Sequence, residues 1–422
     1  MTTAFADTSR DNARSYELSH PWLSFSIDLR NADRRFWQMV GEARSKCRHL
    51  MFAPLKPDTS RRLEAIYLAK GMQATTAIEG NTLTLEQVQS AIDGTLRVPP
   101  SQQYLKQEVD NVLKACRDIE QGIAKDGVFE LTPDLLDSLN ERILHGLDVP
   151  DHVVPGVYRD VSVVVGPYRG APPRDIPFLT ARMCDWLNGP TFQAADHGDA
   201  FLYAFLKAVA AHVYLAWIHP FGDGNGRTAR LIEFGILTAA GIPSVAAHLL
   251  SNHYNLTRTA YYRYLNEASQ SGGDLCPFFL YAAQGFVDLL QEQLATVHQE
   301  MFEIAWENYV HERFQHRSGE AARRQRELVI ALGRIGEPVR REDIPTVTTR
   351  LAGAYANRPK IVTRDINKVV ASGLVHRLQN KSLLAASEMM YGFTPRVGGH
   401  MRHNVLVDFT DVKTHFDDVE SA

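Results

Sequence analysis

Cysteine is scarce in this chain of 422 residues, which has four of them and no Cys-x-x-Cys pair. Neither a zinc site nor a disulfide framework is therefore expected. No run comes near the roughly 18 apolar residues of a transmembrane helix, and residues 1–15 lack the apolar stretch of a secretory signal. We expect a soluble protein of the reducing cytoplasm that has no membrane partner.

An excess of one charge is also missing from the chain as a whole. The 45 Lys and Arg residues nearly balance 49 Asp and Glu, for a formal charge of -4, so composition gives no general argument for a nucleic-acid partner. One stretch departs from this balance, because residues 323–381 contain 13 Lys and Arg but 5 Asp and Glu. This local basic excess indicates a separate C-terminal module.

Most of the chain shows helical periodicity, and the fold class that we predict is mainly α. Apolar residues recur at three- and four-residue spacing from Arg61 onward, and Thr84 and Thr132 stand in contexts typical of helix N-caps. Residues 1–60 are predicted to be irregular, because three prolines interrupt them. The predicted parts are an N-terminal helical region at 1–105, a central helical domain at 106–295, a linker helix at 296–320, and a C-terminal domain and tail at 321–422.

A β-branched segment interrupts the helical pattern. Valines are concentrated between Val157 and Val165, and a Gly-Pro turn signal follows them. This pattern predicts a small β-hairpin. The hairpin could be plain scaffold, or it could present a strand edge to a ligand.

The basic C-terminal stretch has the element order of a winged helix-turn-helix. We predict helices at 324–332 and 341–346, a third helix entered by Thr363, and a β element after Gly373. In that architecture the third helix reads a groove of DNA. Many winged helices bind protein instead, so both kinds of partner stay open.

The strongest local pattern is His-Pro-Phe-Gly-Asp-Gly-Asn-Gly-Arg-Thr-Ala-Arg at residues 219–230. Its glycines let the backbone turn sharply and approach a ligand, and the helix predicted from Arg227 places an anion-binding N-terminus directly behind them. Arg227 and Arg230 share one helix face, where two guanidinium groups can hold successive phosphates. The predicted phosphate-binding residues are Gly222, Gly224, Gly226, Arg227 and Arg230.

Two side chains of this pattern can support a reaction. Asp223 offers a hard oxygen ligand for Mg²⁺, which binds through one or two carboxylates plus substrate phosphates. His219 could take a proton from a hydroxyl as it attacks phosphorus. A His-Pro pair or a glycine turn alone is usually structural, but the whole set at one loop-to-helix junction predicts a catalytic phosphate site.

Residues 219–230 resemble the Fic-family signature, His-x-Phe-x-Asp/Glu-Gly-Asn-Gly-Arg-x-x-Arg, at every defined position. The resemblance extends over about residues 60–290 and implies a helical core that transfers AMP from Mg-ATP to a protein hydroxyl, releasing pyrophosphate. It implies that His219 is the general base and Asp223 the metal ligand, with ATP as substrate and Mg²⁺ as cofactor. It also implies that Asn225, with the glycines on either side of it, holds the α- and β-phosphates, and that the two arginines hold the β- and γ-phosphates. The kinase-like Doc branch has Lys where this chain has Gly226, which favours nucleotidyl transfer over phosphorylation.

The stretch Thr-Thr-Ala-Ile-Glu-Gly-Asn, which begins at Thr75, is similar to the inhibitory motif of the same family. The resemblance implies that Glu79 pairs with Arg230 and thereby occupies the clamp for the γ-phosphate of ATP. The alternative is that Glu79 is a surface residue at a helix end, where Gly80 and Asn81 act as a stop signal.

Two further regions have counterparts in the family. The valine-rich segment resembles the family's flap, whose strand edge would hold a target segment by β-augmentation next to the general base. Ser269 and its two successors stand where relatives often have Asn, which leaves the base selectivity open. The predicted flap residues are Val161, Val163, Val164 and Val165, and the predicted adenine-side residues are Tyr261, Tyr262 and Leu265.

The sequence thus predicts a self-inhibited protein adenylyltransferase that modifies Ser, Thr or Tyr of a target protein or of itself. Whether the chain forms a homodimer stays open. Two alternatives remain. Glu79 could move off Arg230 and orient a water that removes AMP from a modified protein. The Fic core could instead be a nucleotide sensor in a DNA-binding regulator.

Overall fold

The computed structural model describes residues 14–390 except Pro167 and His197, together with the backbone at 396–397 and 400–401. The chain divides into two compact units, Met1–Leu294 and Ala295–Ala422. Each unit has its own apolar core.

The first unit is built almost entirely of helices, and its longer helices bury apolar side chains in one shared core. The fold class predicted from the sequence is confirmed. The helices are α1 (Ser15–Ser19), α2 (Arg34–Met51), α3 (Pro57–Ala77), α4 (Leu85–Ile92), α5 (Gln103–Asp126), α6 (Pro133–Leu144), α7 (Ile176–Asn188), α8 (Ala200–Ile218), α9 (Asn225–Ala239), α10 (Ser244–Ala247), α11 (Leu249–Leu256), α12 (Arg258–Gln270) and α13 (Cys276–Phe314), which continues into the second unit.

The predicted helix caps are confirmed. Thr84 and Gln87 form a complete capping box at the start of α4, and the Thr132 side chain accepts the backbone N–H of Leu135 at the start of α6. These caps satisfy backbone donors that the first turn of a helix leaves without a partner. The local sequence therefore determines where these helices begin.

The expectation that residues 1–60 are irregular is wrong for α2. Asp33 caps this helix by accepting the backbone N–H of Arg35. Its buried side chains, Phe36, Val40 and Cys47, recur at helical spacing. The three prolines lie outside α2, so they bound the helix rather than prevent it.

Helix α8 is the centre of the first unit. By length and composition it is the one helix in the described part of the chain that could cross a membrane, a feature that the sequence analysis did not anticipate. However, 67% of its apolar window is buried inside the protein, as expected for a core helix that is apolar on all sides. Helix α9 packs along it, and the loop at residues 219–224 joins the two.

The β-hairpin is shorter than predicted. Strand β1 (Val164–Val165) pairs antiparallel with β2 (Tyr168–Arg169). Before β1, Tyr158 makes an isolated bridge to Phe221, and the backbone N–H of Arg159 donates to the carbonyl of Pro220 at 2.9 Å. The start of the valine-rich segment therefore pairs with the loop of the 219–230 pattern.

The second unit combines short helices with antiparallel strand pairs. The predicted short helix at 341–346 is reduced to a single 3-10 turn at Ile344–Thr346. The chain becomes α-helical again only after Thr348, whose side chain accepts the N–H of Leu351 at 3.1 Å. The third helix begins at Pro359 rather than at Thr363. The elements are α14 (Glu320–Ile335), α15 (Thr349–Tyr355), α16 (Pro359–Ala371), β3 (Val375–Arg377) with β4 (Leu383–Ala385), and β5 (Arg396–Val397) with β6 (His400–Met401).

The last turns of α13 supply part of the core of this second unit. Trp306, Val310 and Phe314 are at most 2% exposed and belong to the same apolar cluster as Leu328 of α14. An added Cβ at Gly333 would lie 2.1 Å from the indole nitrogen of Trp306, so the ring packs directly on the backbone of α14. The second unit is therefore complete only with residues before the predicted boundary at 321.

We expect a fragment of residues 295–422 to fold and a fragment of residues 321–422 to fail. The shorter fragment loses three buried side chains worth about 1.5–3 kcal/mol each, a sum comparable with the whole stability of a small domain. Thermal unfolding followed by circular dichroism would test this. A cooperative transition in the shorter fragment would contradict it.

Candidate active site

The first six residues of the 219–230 pattern form a tight turn between two buried helices, and the other six begin α9. His219 ends α8 with φ 51°, a left-handed conformation, and its N–H donates to Leu215 O at 2.9 Å. Gly224 has φ 78° and directly precedes the first residue of α9. Left-handed backbone at both ends of the loop reverses the chain within a few residues and directs the N-terminus of α9 towards His219.

Two asparagines hold this loop. Asn225 Oδ1 accepts the N–H of Phe221 at 2.9 Å, and Asn225 Nδ2 donates to Phe221 O at 2.8 Å. Asn140 of α6, which is fully buried, donates to Asp223 O at 2.9 Å and accepts the N–H of Gly156 at 3.0 Å. The Asn225 side chain is thus committed to the loop, so any phosphate contact would come from its backbone.

Arg159 is a structural residue of the site that the sequence analysis missed. Its guanidinium donates to the carbonyls of His219 at 2.7 Å, Val161 at 2.7 Å and Ala171 at 2.6 Å. Burial lowers the pKa of Arg159 to about 10, which still leaves it charged at neutral pH. Arg159 therefore fixes the segment before β1 against the end of α8 and the loop at residues 219–224, and no local sequence pattern signals this role.

The environment of His219 favours a neutral ring. Burial lowers the pKa of His219 to about 4, and the charge of Arg159 acts in the same direction. The carbonyl of Ala216, Glu79 and Asp223 act in the opposite direction and do not outweigh it. His219 Nδ1 lies 3.4 Å from Ala216 O, which can only accept, so the proton belongs on Nδ1 and Nε2 is free to take one.

A cavity of about 620 Å³ opens beside His219. It brings together most of the residues predicted for nucleotide binding and inhibition. It also has lining residues that the sequence analysis did not name, among them Trp217 and Asn266, and Asn266 follows Tyr262 by one helical turn of α12. The predicted residues that line it are Glu79, His219, Asn225, Gly226, Arg230, Tyr261, Tyr262 and Leu265.

Glu79 occupies the anion-binding end of α9. Arg230 Nη2 donates to Glu79 Oε1 at 2.5 Å and to Thr75 O at 2.9 Å. A Cβ added to Gly226 would lie 2.2 Å from Glu79 Oε1. The carboxylate therefore lies directly over the first turn of α9, where an anion meets free backbone N–H groups and the positive end of the helix dipole.

The charge state of Glu79 follows from these contacts. Burial alone would raise its pKa, but the charge and hydrogen bond of Arg230, helped by Arg227 and His219, lower it below the usual value. Glu79 is thus ionised at neutral pH. Thr75 contributes its backbone carbonyl to this arrangement.

Arg227 is bonded at both terminal nitrogens. It is 5% exposed, and its Nη1 donates to Glu108 Oε1 of α5 while its Nη2 donates to Asp223 Oδ1 at 3.1 Å. The other oxygen of Glu108 accepts from Asn81 Nδ2 at 2.8 Å. Arg227 does not line the cavity, so in this state it supports Asp223, and its role as a phosphate clamp stays a prediction.

Asp223 fits a magnesium ligand by the chemistry of its donors. The backbone N–H of Gly224 and Nη2 of Arg227 both donate to its Oδ1, at 2.5 and 3.1 Å. Within residues 14–390, apart from the two positions left undescribed, no three His, Cys, Asp or Glu side chains converge on one point. A Mg²⁺ ion here would therefore be held by one carboxylate and the phosphates of its nucleotide.

The predicted flap residues lie at and before β1. Val161 and Val164 are exposed, at 44% and 62%, Val163 is half-buried, and the side chain of Val165 lies outside the described part of the structure. On the opposite side of the hairpin, the His20 ring forms a hydrogen bond with Arg169 O at 2.8 Å. Gly222 and Gly224 shape the loop and do not line the cavity.

Comparison with known proteins connects this geometry to a family. Residues 130–237 match the model of the Fic/DOC family. The chain is 30% identical over 252 residues to "Protein adenylyltransferase fic-1" of Caenorhabditis briggsae, which covers 60% of this chain and 45% of that protein. It is 30% identical over 211 residues to "Protein adenylyltransferase Fic" of Nematostella vectensis, which covers 49% of this chain and 44% of that protein. The chain thus spans less than half the length of these relatives.

A solved structure supports the same fold. A Fic family protein from Desulfovibrio desulfuricans superimposes with a TM-score of 0.52 at 22% identity, covering 85% of this chain and 98% of that one. At this identity the likeness concerns the fold alone. Together with the matched residues, it leads to one conclusion: residues 130–237 of this chain form a Fic/DOC family domain.

Proposed function

We propose that the chain is a protein adenylyltransferase that its own Glu79 holds in an inactive state. The observation that carries the transfer activity is the convergence of His219 and the N-terminus of α9 on one cavity that also has aromatic walls. The names of the relatives support the same reaction class. ATP would place its phosphates at α9 and its base towards Tyr261 and Tyr262.

The reaction follows from the free nitrogen of His219. A hydroxyl oxygen of the target attacks the α-phosphorus of ATP, and its proton passes to His219 Nε2. The bond between the α-phosphorus and the bridging oxygen breaks, and pyrophosphate leaves with that electron pair. The backbone N–H groups of α9 and the charge of Arg230 stabilise the phosphate charge.

Asp223 is the residue that would hold Mg²⁺. Its Oδ1 is fixed by two donors, which leaves Oδ2 as the oxygen for a metal. When bound, the ion would neutralise charge on the phosphates.

Inhibition follows from competition for one anion site. Glu79 takes the hydrogen bond of Arg230 and lies over Gly226, so a phosphate cannot use either contact until the carboxylate moves. Two negative groups in that space would also repel each other. Because Glu79 belongs to the same chain, its effective concentration at this site is high, so a modest interaction is enough.

A target segment would use the outer edge of β1. On the other edge of the hairpin, Arg169 O is already occupied by His20. Exposed Val164 lies on β1, in the segment that Arg159 fixes beside His219. An extended target strand there could present a Ser, Thr or Tyr hydroxyl to the general base, and the same edge could accept a segment of a second copy in self-modification.

Replacing Glu79 tests both parts of the proposal. In Glu79→Gly, Arg230 is freed for the phosphates, so we expect incorporation of label from α-labelled ATP with Mg²⁺ to rise by about ten- to a hundredfold. That range corresponds to a charge-assisted hydrogen bond of about 1.5–3 kcal/mol. Labelled protein separated on a gel, with mass spectrometry of the modified residue, gives the measurement.

Three companion variants control this experiment. Arg230→Ala removes the clamp as well as the inhibitory contact, so it should stay inactive, and the double variant should behave like Arg230→Ala alone. His219→Ala combined with Glu79→Gly should bind ATP and transfer nothing. Label incorporation equal to wild type in a folded, ATP-binding Glu79→Gly protein would refute inhibition, and retained transfer without His219 would refute the transfer mechanism.

The acid limb of the pH profile reports on His219. A base must be unprotonated to act, and burial holds the pKa of His219 at about 4, so transfer should persist as pH falls below 6.5 and be lost only as pH approaches 4. The charge of Glu79 acts to raise the pKa of His219, so removing Glu79 should lower this pKa further. We expect kcat/KM for transfer by Glu79→Gly to show no decline centred near pH 6.5, with ATP affinity measured at each pH as the control. A midpoint near 6.5 would contradict the assignment.

We also propose a second activity, the binding of DNA by the second unit, which we interpret as a winged helix-turn-helix. Lys360, Arg364 and Lys368 follow one another by four residues on α16, and all three are exposed. Exposed Asn367 and the partly exposed Thr363 lie in the same helix. Like charges at this spacing repel each other, so an anionic partner would stabilise this face.

The acidic residue of α16 does not offset these cations. Asp365 is fully buried, and its carboxylate accepts from Arg324 Nε at 2.9 Å and Gln325 Nε2 at 2.8 Å. Near the helix, Arg377 of β3 donates to Asn367 Oδ1 at 2.7 Å. A helix with this face suits the major groove of a duplex, with the β3–β4 hairpin beside it.

Salt dependence tests the proposed DNA face. We expect the full chain to bind a labelled duplex at low salt, with affinity falling steeply from 50 to 200 mM salt. Changing Lys360, Arg364 and Lys368 together to Ala should reduce the slope of log affinity against log salt by about 2 to 3, since each lost phosphate contact removes about 0.9. The matched control changes the exposed Lys56, Lys114 and Lys125 of the first unit to Ala, with equal loss of charge. Equal slopes, or no binding at low salt, would favour a protein partner.

A further inference from the structure

A buried polar cluster lies behind the wall of the nucleotide cavity. Its members are His212 of α8, Glu233 of α9, Tyr254 of α11 and Tyr261 of α12, with exposed fractions of 0%, 1%, 0% and 4%. Of these four, Tyr261 alone lines the cavity. The cluster takes no part in the transfer step described for His219.

The contacts of the cluster form a chain that ends at Tyr261. His212 Nε2 lies 2.9 Å from the hydroxyl oxygen of Tyr261, and His212 Nδ1 lies 3.4 Å from Glu233 Oε2. The Tyr254 hydroxyl donates to Glu233 Oε1 at 2.9 Å. The Tyr254 and Tyr261 rings stack, with centroids 4.9 Å apart and an interplanar angle of 25°.

Burying these polar groups costs free energy unless they are paired with one another. A carboxylate and an imidazole inside an apolar core lose their hydration, and the loss is offset only by good mutual contacts. Each of the four residues comes from a different helix, so the cluster holds those helices in one register around Tyr261. A phenylalanine in place of Tyr261 would fill the same space but would have no hydroxyl to fix the ring.

We propose that His212 is a positioning residue for the nucleotide base. Its hydrogen bond to the Tyr261 hydroxyl fixes the ring that forms the base-side wall, and Glu233 Oε2 lies 3.4 Å from the other ring nitrogen of His212. This inference rests on the proposed function, because it takes the cavity to be the ATP site. Holding the ring in place before binding lowers the ordering cost that the ligand would otherwise meet.

Two substitutions of His212 separate its two contacts. Gln places its terminal amide where Nε2 of histidine lies, so His212→Gln can keep the bond to Tyr261. Asn places its amide where Nδ1 lies, so His212→Asn can keep the contact with Glu233 but does not reach Tyr261. Both variants are made in a Glu79→Gly, His219→Ala background, which clears the anion site and prevents turnover.

Two probes distinguish the base side from the phosphate side. Calorimetric titration with Mg-ATP reports both, whereas Mg-tripolyphosphate has no base and reports the phosphate side alone. We expect His212→Asn to weaken ATP binding about three- to tenfold, the size of one neutral hydrogen bond, with His212→Gln within about twofold of the parent. Tripolyphosphate affinity should be the same in all three proteins.

A matched control shows whether any loss reflects general destabilisation. His248 is also buried, stacks on Phe234, and does not line the cavity. His248→Asn should lower the melting temperature without changing ATP affinity. If His212→Asn does not fold, Tyr261→Phe serves in its place, since it removes only the hydroxyl and should weaken ATP but not tripolyphosphate.

The outcomes separate this inference from the proposed function. If the background protein binds neither probe, the proposed nucleotide site itself is wrong. If it binds both, and the Asn and Gln variants have equal ATP affinity, His212 does not act through Tyr261. Equal weakening of ATP and tripolyphosphate would also overturn the inference, because it would indicate only a structural role.

Discussion

The rest of the first unit is arranged around one desolvated charge, the guanidinium of Arg230 at the start of α9. It is 2% exposed, and a buried cation without a partner would cost several kcal/mol. Glu79 and the carbonyl of Thr75 are its partners in this structure. A phosphate is the other kind of partner that suits it, so the same physical need that would bind nucleotide also holds Glu79 in place.

The need for a partner to the buried guanidinium of Arg230 constrains distant parts of the fold. The end of α3 must reach α9, and it is fixed there by Asn81, which donates to Leu105 O at 2.9 Å, and by Arg258, which donates to Ala77 O. The residue at position 226 must lack a side chain, because Glu79 lies where its Cβ would be. The proposed inhibition therefore depends on the ends of two helices and on one glycine.

Sequence reasoning succeeded where a local rule decides the structure. Thr84 and Thr132 cap helices because of their own neighbours, and the glycines of the 219–230 pattern predict a turn into a helix. The resemblance of the stretch beginning at Thr75 to the family's inhibitory motif also predicted the contact between Glu79 and Arg230, two residues that are distant in sequence. The roles of single polar residues with distant partners could not be predicted from the sequence. Asn140, Arg159 and Glu108 belong to no motif that signals these contacts, and only the tertiary fold brings them to the site.

The charged groups of the two units differ in how far they are exposed to solvent, so their interactions should differ in salt dependence. Arg230 is shielded from solvent, and interactions of such a group are only weakly screened by salt. The cations of α16 are exposed, so their attraction to any anion falls as counterions accumulate around both partners. A moderate rise in ionic strength should therefore release a ligand held by α16 while leaving the contact between Glu79 and Arg230 in place. The two proposed activities thus differ in kind, since one depends on a desolvated charge in a fixed geometry and the other on an exposed array of charge.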